Sequence, residues 1–361
     1  WGTIWRYQEE CPLNNAAIFA KKLPRFLAWC TWQILAFQKI EKDIIIHYHD
    51  LDTLLGGVFT SKIGEIPLVY DCHENYPGLV EGAVSSIVAK WLHRLEARLL
   101  KYCHGIISAG PANYARISQM LELGTKAPFS STEEDAFEVM NLSQRDFMNS
   151  KLTRVGNVKR LDAYPMRRIE SRQKTDTFRL LYIGVLEKHP SRGILETAIT
   201  INKMKGVQFD IGGFGTLVPT LKKLEPKIPN MKYIGPIHPD NVPLQTIQCD
   251  AVLMALDPSN VNNRLSAPNK LFEAMSAGVP IITCKELLMG KMVEREEIGL
   301  TFEWGKWDRL KAVIMEMMFD EPLCNKMGKR ARKLAEKKHN WDFCEDRIGS
   351  LYKFVKKTKD A

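Results

Sequence analysis

No apolar run in this 361-residue chain reaches the roughly 20 residues a membrane-spanning helix needs, so none is expected. No stretch has the basic-then-apolar layout of a signal peptide. The eight cysteines (11, 30, 72, 103, 249, 284, 324, 344) stand singly, with no C-x-x-C pair. That spacing argues against a zinc ribbon or a disulfide scaffold and for a reducing, cytoplasmic setting. No G-x-G-x-x-G follows a strand with an acidic residue about 20 positions on, which disfavours a nicotinamide dehydrogenase. There is no repeat and no low-complexity tract. There is also no initiator methionine: the chain opens at Trp1, and truncation from a longer chain is the expectation.

What is present is ordinary for a folded protein, with 45% hydrophobic and 26% charged residues, and too long for one comfortable core. Two domains are expected. The net charge of +9 is unevenly placed. Lys326 to Ala361 holds twelve Lys/Arg against five Asp/Glu, a patch suited to anionic lipid or a phosphate-bearing ligand, or equally a solvated helix face. Nucleic-acid binding is weakly supported, because this tail lacks interleaved aromatics on a recognisable module.

From residue 43 onward β-rich runs alternate with helical stretches, the pattern of βαβ units and parallel sheets. The fold class is α/β. Strands are expected at Asp43–His47, Leu68–Asp71, Gly105–Ser108 and Thr153–Val155, with helices at Leu51–Lys62, Val84–Cys103 and Pro111–Leu121 between them. A second series follows at Arg179–Ile183, Gln208–Ile211, Lys232–Ile234, Ala251–Ala255, Ile281–Thr283 and Leu300–Phe302. The Arg/Lys-rich stretch Val158–Thr177 reads as a linker. The expected division is an N-terminal Rossmann-like domain over 1–165, a second Rossmann-like domain over 166–340 and a C-terminal helix over 341–361 packing back on the first domain. Glu122–Lys151, with its acidic run Glu133–Asp135, fits neither pattern and reads as a mobile insertion.

Ligands of such sheets sit at the C-terminal ends of strands. Beyond Ala251–Ala255 lies Ser266-Ala-Pro-Asn-Lys-Leu-Phe-Glu-Ala-Met-Ser-Ala-Gly-Val-Pro280. Pro268 suits a first helical turn and Gly278 with Pro280 a stop, giving a helix from near Ala267 to Ala277. Its free N–H groups and Lys270 make an anion site fit for a diphosphate. Glu273, one turn on, could accept from ribose hydroxyls, although a local Lys270–Glu273 ion pair explains the spacing equally well. Ile183-Gly184 ends a strand, and Arg192 opens the next helix, where a guanidinium can clamp phosphate oxygens. The Gly212-Gly213-Phe214-Gly215 turn permits close backbone approach. His73 and Glu74, at a strand end in the other domain, face them from the opposite lip.

These residues carry a resemblance. PNKLFEAMSAGVPIIT resembles the nucleotide-sugar signature of the retaining glycosyltransferases of family 4, group 1, which have the GT-B fold of two Rossmann-like domains facing a cleft. HYHDLDTLLGG, VYDCHENYP, YIGVLEKHPSRG, FDIGGFG, YIGPI and HNWDFCEDRIGSLY extend the likeness over nearly the whole chain. The resemblance implies metal-independent, retaining transfer from a UDP-, GDP- or ADP-sugar, with no other cofactor, to a glycan or lipid-linked acceptor. It implies that Glu273 holds the ribose, that Lys270 and Arg192 meet the diphosphate, and that His73 faces the donor sugar, with Glu74 beside it. Gly184, Gly213, Ser266, Asn269 and Leu271 join the donor-binding set, and Ile237, in the Gly235-Pro236-Ile237 turn, falls where the nucleobase meets backbone.

Three departures accompany it. Leu265 stands where the family has its first motif Glu, Val185 replaces a basic diphosphate ligand, and the family's opening strand has no counterpart before Trp1. Two other classes therefore remain open: a degenerate nucleotide-sugar-binding protein, and a nucleotide-sugar epimerase of the same fold. The aromatic segment Phe26–Phe37 reads as a buried helix in preference to a peripheral membrane contact.

Overall fold

The computed structural model describes residues 16–80, 85–128, 131–165, 177–188 and 191–359. Two parallel sheets organise it. In the first, β1 (Ile46–His49), β2 (Leu68–Cys72), β3 (Gly105–Ser108) and β4 (Leu152–Arg154) lie side by side in chain order. In the second, β5 (Phe178–Val185), β6 (Val207–Phe214), β7 (Met231–Gly235), β8 (Ala251–Met254), β9 (Ile281–Cys284) and β10 (Gly299–Phe302) run in the order β10-β9-β8-β5-β6-β7. The order reverses between β5 and β8, so a crevice opens beyond the C-terminal ends of those strands.

Helices cover both faces of each sheet, which explains why the strands read as unbroken apolar runs. All four residues of β3, β8 and β9 are buried. In the first domain the helices Ser86–Leu99 and Pro111–Leu123 bring Glu96 and Arg116 together in the core. Arg116 donates to both carboxylate oxygens of Glu96 at 2.7 and 3.1 Å, and Tyr70 Oη donates to Oε1 at 2.9 Å.

Several elements differ from expectation. The long helix expected from Val84 runs from Ser86 to Leu99 and tightens into a 3-10 turn at Leu100–Tyr102. The stretch expected to be a mobile insertion contains the helix Glu133–Asn141, closed at its start by reciprocal bonds between Thr132 and Asp135. Glu133 then pairs with Lys291 and Arg264 of the second domain, so tertiary ion pairs fix what local pattern left undefined. Phe26–Phe37 lies in the helix Ala16–Gln38 and is only half-buried: Leu27, Thr31 and Leu35 pack on Asp50–Gly64, while Trp32 is 65% exposed and Leu55, Phe59 and Ile63 of the neighbouring helix are exposed in large part.

The chain enters the second domain at the start of the expected linker Val158–Thr177, part of which (166–176) lies outside the described residues. Val158, Leu161 and Tyr164 already pack in the second core. The chain returns at His339–Asn340, where Trp341 N–H donates to Lys159 O at 3.1 Å. The closing helix Trp341–Lys359 then lies on the first sheet, with Leu351 and Val355 packed against Val69 and Ile107. Burial of each such side chain contributes about 1.5–3 kcal/mol. Arg347 Nη1 donates to Arg154 O at 3.0 Å, completing the attachment.

Candidate functional site

Beyond β8 the helix Val261–Leu265 leads into a second helix, Asn269–Ala277. Pro268 is its N-cap and not a member of its first turn, so the helix starts two residues later than expected. A proline has no side-chain acceptor, and among the described residues no side chain caps this end. Gly278, at φ 70°, closes the other end in the left-handed conformation that glycine accepts without strain. Leu271 is fully buried and its N–H is taken by Pro268 O at 3.2 Å, leaving the anion-facing role to Asn269, Lys270 and the N-terminal backbone.

Lys270 reaches over the end of β5. Its Nζ lies 4.3 Å from the Tyr182 ring centroid, and a Cβ placed on Gly184 would lie 3.0 Å from it. The ammonium is thus held by an aromatic face and not by Glu273. The expected local pair does not form: Glu273 Oε1 lies 3.2 Å from Lys159 Nζ, whose other partner is Asn269 Oδ1 at 2.8 Å. Ser266 is spent on its own loop, donating to Asn263 O at 3.0 Å.

The ends of β5 and β6 are pressed together. Gly213 has φ 139°, and a Cβ there would sit 1.8 Å from Gly184 O, so only glycine fits. Val185 pairs with Phe214 at these strand ends, and Phe214 is 66% exposed, giving the crevice an apolar floor. Ile237 packs over Gly212, whose added Cβ would meet its Cγ1 at 2.8 Å. Leu265 packs on the second core and offers no carboxylate.

Arg192 precedes the helix Ile194–Ile201. Its Nε is buried without a hydrogen-bond partner among the described residues. Glu74 keeps surface accessible, yet the crevice walls desolvate its carboxyl and raise its pKa. Asp50 adds to the rise, while His73 and Arg192 oppose it. His73 and Glu74 follow the C-terminal end of β2 in the first domain, and Arg192 follows β5 in the second. His73 N–H donates to Asp50 Oδ1 at 3.1 Å, and its Nε2 lies 3.5 Å from Asp71 Oδ2.

Sequence reasoning overlooked Lys159, Tyr182 and Phe214. Lys159 carried no local signal, because its partner lies more than a hundred residues away. The apolar residue between two glycines, Phe214, was visible but had no assigned face until the strand register was known.

Residues 167–334 match the family model for glycosyl transferases group 1. The second domain is thus similar to glycosyl transferases group 1. A putative glycosyltransferase, YtcC of Bacillus subtilis, is 30% identical over 120 residues, covering 33% of this chain and 28% of that protein. The fold extends over both domains. Sucrose-phosphate synthase from Thermosynechococcus elongatus superposes with a TM-score of 0.69 at 15% identity, over 95% of this chain and 80% of that one. HepE from Anabaena, solved in complex with UDP-glucose, gives 0.60 at 14% identity over 92% and 82%. The architecture of this chain is accordingly GT-B. Among the described residues no helix is long and apolar enough to cross a membrane.

Proposed function

We propose that this protein is a retaining glycosyltransferase that moves a sugar from a nucleoside diphosphate sugar to a glycan or lipid-linked acceptor. The observation that carries this reading is that Arg192, Lys270 and the uncapped start of Asn269–Ala277 all follow the C-terminal ends of β5 and β8, with Arg192 Nε buried and unpartnered among the described residues and the Lys270 ammonium lying over the Tyr182 ring. As the bond from the anomeric carbon to the phosphate oxygen breaks, negative charge builds on the diphosphate. Preorganised cations and helix N–H groups that meet this charge lower the barrier, each contact by about 3 kcal/mol. Arg192 and Lys270 take that role, with no metal ion at the diphosphate, and Glu273 binds the ribose hydroxyls. The acceptor hydroxyl attacks from the leaving-group face, and its proton passes to the departing phosphate oxygen. His73 orients the donor sugar, and Glu74 lies beside it.

The exposed apolar residues Trp32, Leu55, Phe59 and Ile63, together with the basic tail, support action at the inner face of a membrane on a lipid-linked acceptor. Leu265 supports a second reading, in which the protein binds a nucleotide sugar without turning it over, because a leucine cannot hold the sugar's hydroxyls. Thermal melts with UDP-, GDP- and ADP-sugars test both. A rise with one nucleotide followed by product formation supports transfer, a rise without product supports the binding protein, and no rise with any nucleotide refutes both.

A further inference from the structure

Alternation along two neighbouring strands gathers four metal-ligand side chains on one face of the first sheet. In β1 these are His47 and His49. In β2 it is Asp71, paired in register with His49, and His73 follows two positions on. Residues two apart in a strand share a face, so the patterns His-x-His and Asp-x-His interlock at the C-terminal ends of the pair.

The ligand atoms converge. Asp71 Oδ2 lies 3.3 Å from His47 Nε2, 3.4 Å from His49 Nδ1 and 3.5 Å from His73 Nε2. The first three atoms, from His47, His49 and Asp71, all lie within 4.8 Å of one another. In a tetrahedral zinc site with bonds of about 2.0–2.1 Å, neighbouring ligand atoms are about 3.3 Å apart. The contacts to the carboxylate have that edge length.

Hydrogen bonding alone leaves the cluster unsatisfied. His47 Nε2 is buried and, among the described residues, has no hydrogen-bond partner despite its closeness to the carboxylate. The other ring nitrogen, Nδ1, is 3.0 Å from Tyr352 Oη on the closing helix. A buried nitrogen aimed at a carboxylate without a hydrogen bond calls for an explanation, and a cation between the two supplies one. Tyr352 then plays the part that outer partners of ligating histidines play, fixing the ring and its tautomer. Two imidazoles and one carboxylate favour zinc and its neighbours over calcium or magnesium.

We propose that His47 Nε2, His49 Nδ1 and Asp71 Oδ2 hold one divalent transition-metal ion of the zinc class, with Tyr352 as the positioning residue. The ion takes no part in bond breaking at the diphosphate. His73 Nε2, 2.9 Å from His49 Nδ1, is the group within reach of the fourth position. Metal loading therefore draws His73 away from the donor sugar and slows transfer, a consequence that rests on the proposed function, whereas metal binding itself does not.

The test uses the full chain, stripped with a chelator and titrated with Zn²⁺ by calorimetry and with Co²⁺ by visible absorption. One equivalent of Zn²⁺ and a four-coordinate Co²⁺ spectrum are expected. His47→Asn and Asp71→Asn each weaken binding by about 100-fold, and Tyr352→Phe by about 10–100-fold, with folding checked by circular dichroism. Failure of the folded wild-type chain to bind one equivalent overturns the site, as does binding of undiminished affinity in both His47→Asn and Asp71→Asn. In a transfer assay Zn²⁺ slows the wild type and spares His47→Asn; equal slowing of both overturns the link to His73. The titrations need no donor, so their failure leaves the proposed transfer untouched, and a chain that never turns over leaves the metal site standing.

Discussion

Glu273 Oε1 lies 3.2 Å from Lys159 Nζ, which ties the central helix of the crevice to the segment by which the chain enters the second domain. The carboxylate is thereby held in place before any ribose arrives. Charged hydrogen bonds contribute about 1.5–3 kcal/mol, so Glu273→Gln is expected to lower kcat/KM for the donor by about 10–100-fold. A partly exposed ion pair stabilises a fold by at most about 1 kcal/mol, so the melting temperature should barely move. Steady-state kinetics beside a thermal melt check both; unchanged kinetics would take Glu273 out of the site.

Lys270 has an aromatic face beside its ammonium and, among the described residues, no carboxylate within ion-pair distance. Its removal therefore costs the fold little. Lys270→Ala should lower kcat by about 10²–10³-fold, as expected when one contact to developing charge is lost, while a denaturant melt stays close to wild type. Near-normal turnover would mean that Lys270 does not meet the diphosphate.

Glu96 and Arg116 show the opposite balance, being buried beneath Cys72, the residue before His73. Glu96→Gln leaves the Arg116 guanidinium enclosed without its counter-charge, which costs about 3–5 kcal/mol. The denaturation midpoint should fall with an unchanged slope.

His339 contacts the Phe272 ring at 5.7 Å between centroids. Burial, and then the charges of Arg154, Lys338, Arg347 and Arg295, push its pKa down to about 3. The native imidazole stays neutral, whereas the unfolded one takes a proton near its usual value of about 6.5. Stability from this group is complete above that pH and is lost as the pH falls from about 6.5 toward 3, by up to about 1.4 kcal/mol per unit. His339→Asn should flatten the dependence of melting temperature on pH over that window relative to wild type. Parallel curves would refute the buried neutral imidazole.

What the sequence revealed depended on how local the cause was. Gly105–Ser108 was legible to the residue because a buried parallel strand is a continuous apolar run. Pro268 and Gly278 bracketed the crevice helix because both act through their own backbone. Glu133–Asn141 was opaque, since Lys291 and Arg264, which hold it, are distant in sequence. The partner of Glu273 was hidden for the same reason: helical spacing offered Lys270 as one of two readings, and the fold delivered Lys159. His47, His49 and Asp71 each stood in plain view. Only the register of β1 on β2 makes them neighbours.

Lys159 and Asn340 form a parallel backbone bridge where the outgoing and returning chains pass between the domains. Two tethers fastened side by side define an axis, as the pins of a door do. The halves of the crevice can swing about that line, but twisting or sliding would strain both tethers at once. Any such swing must first part Glu133 from Lys291 and Arg264, the ion pairs that latch the domains away from that line.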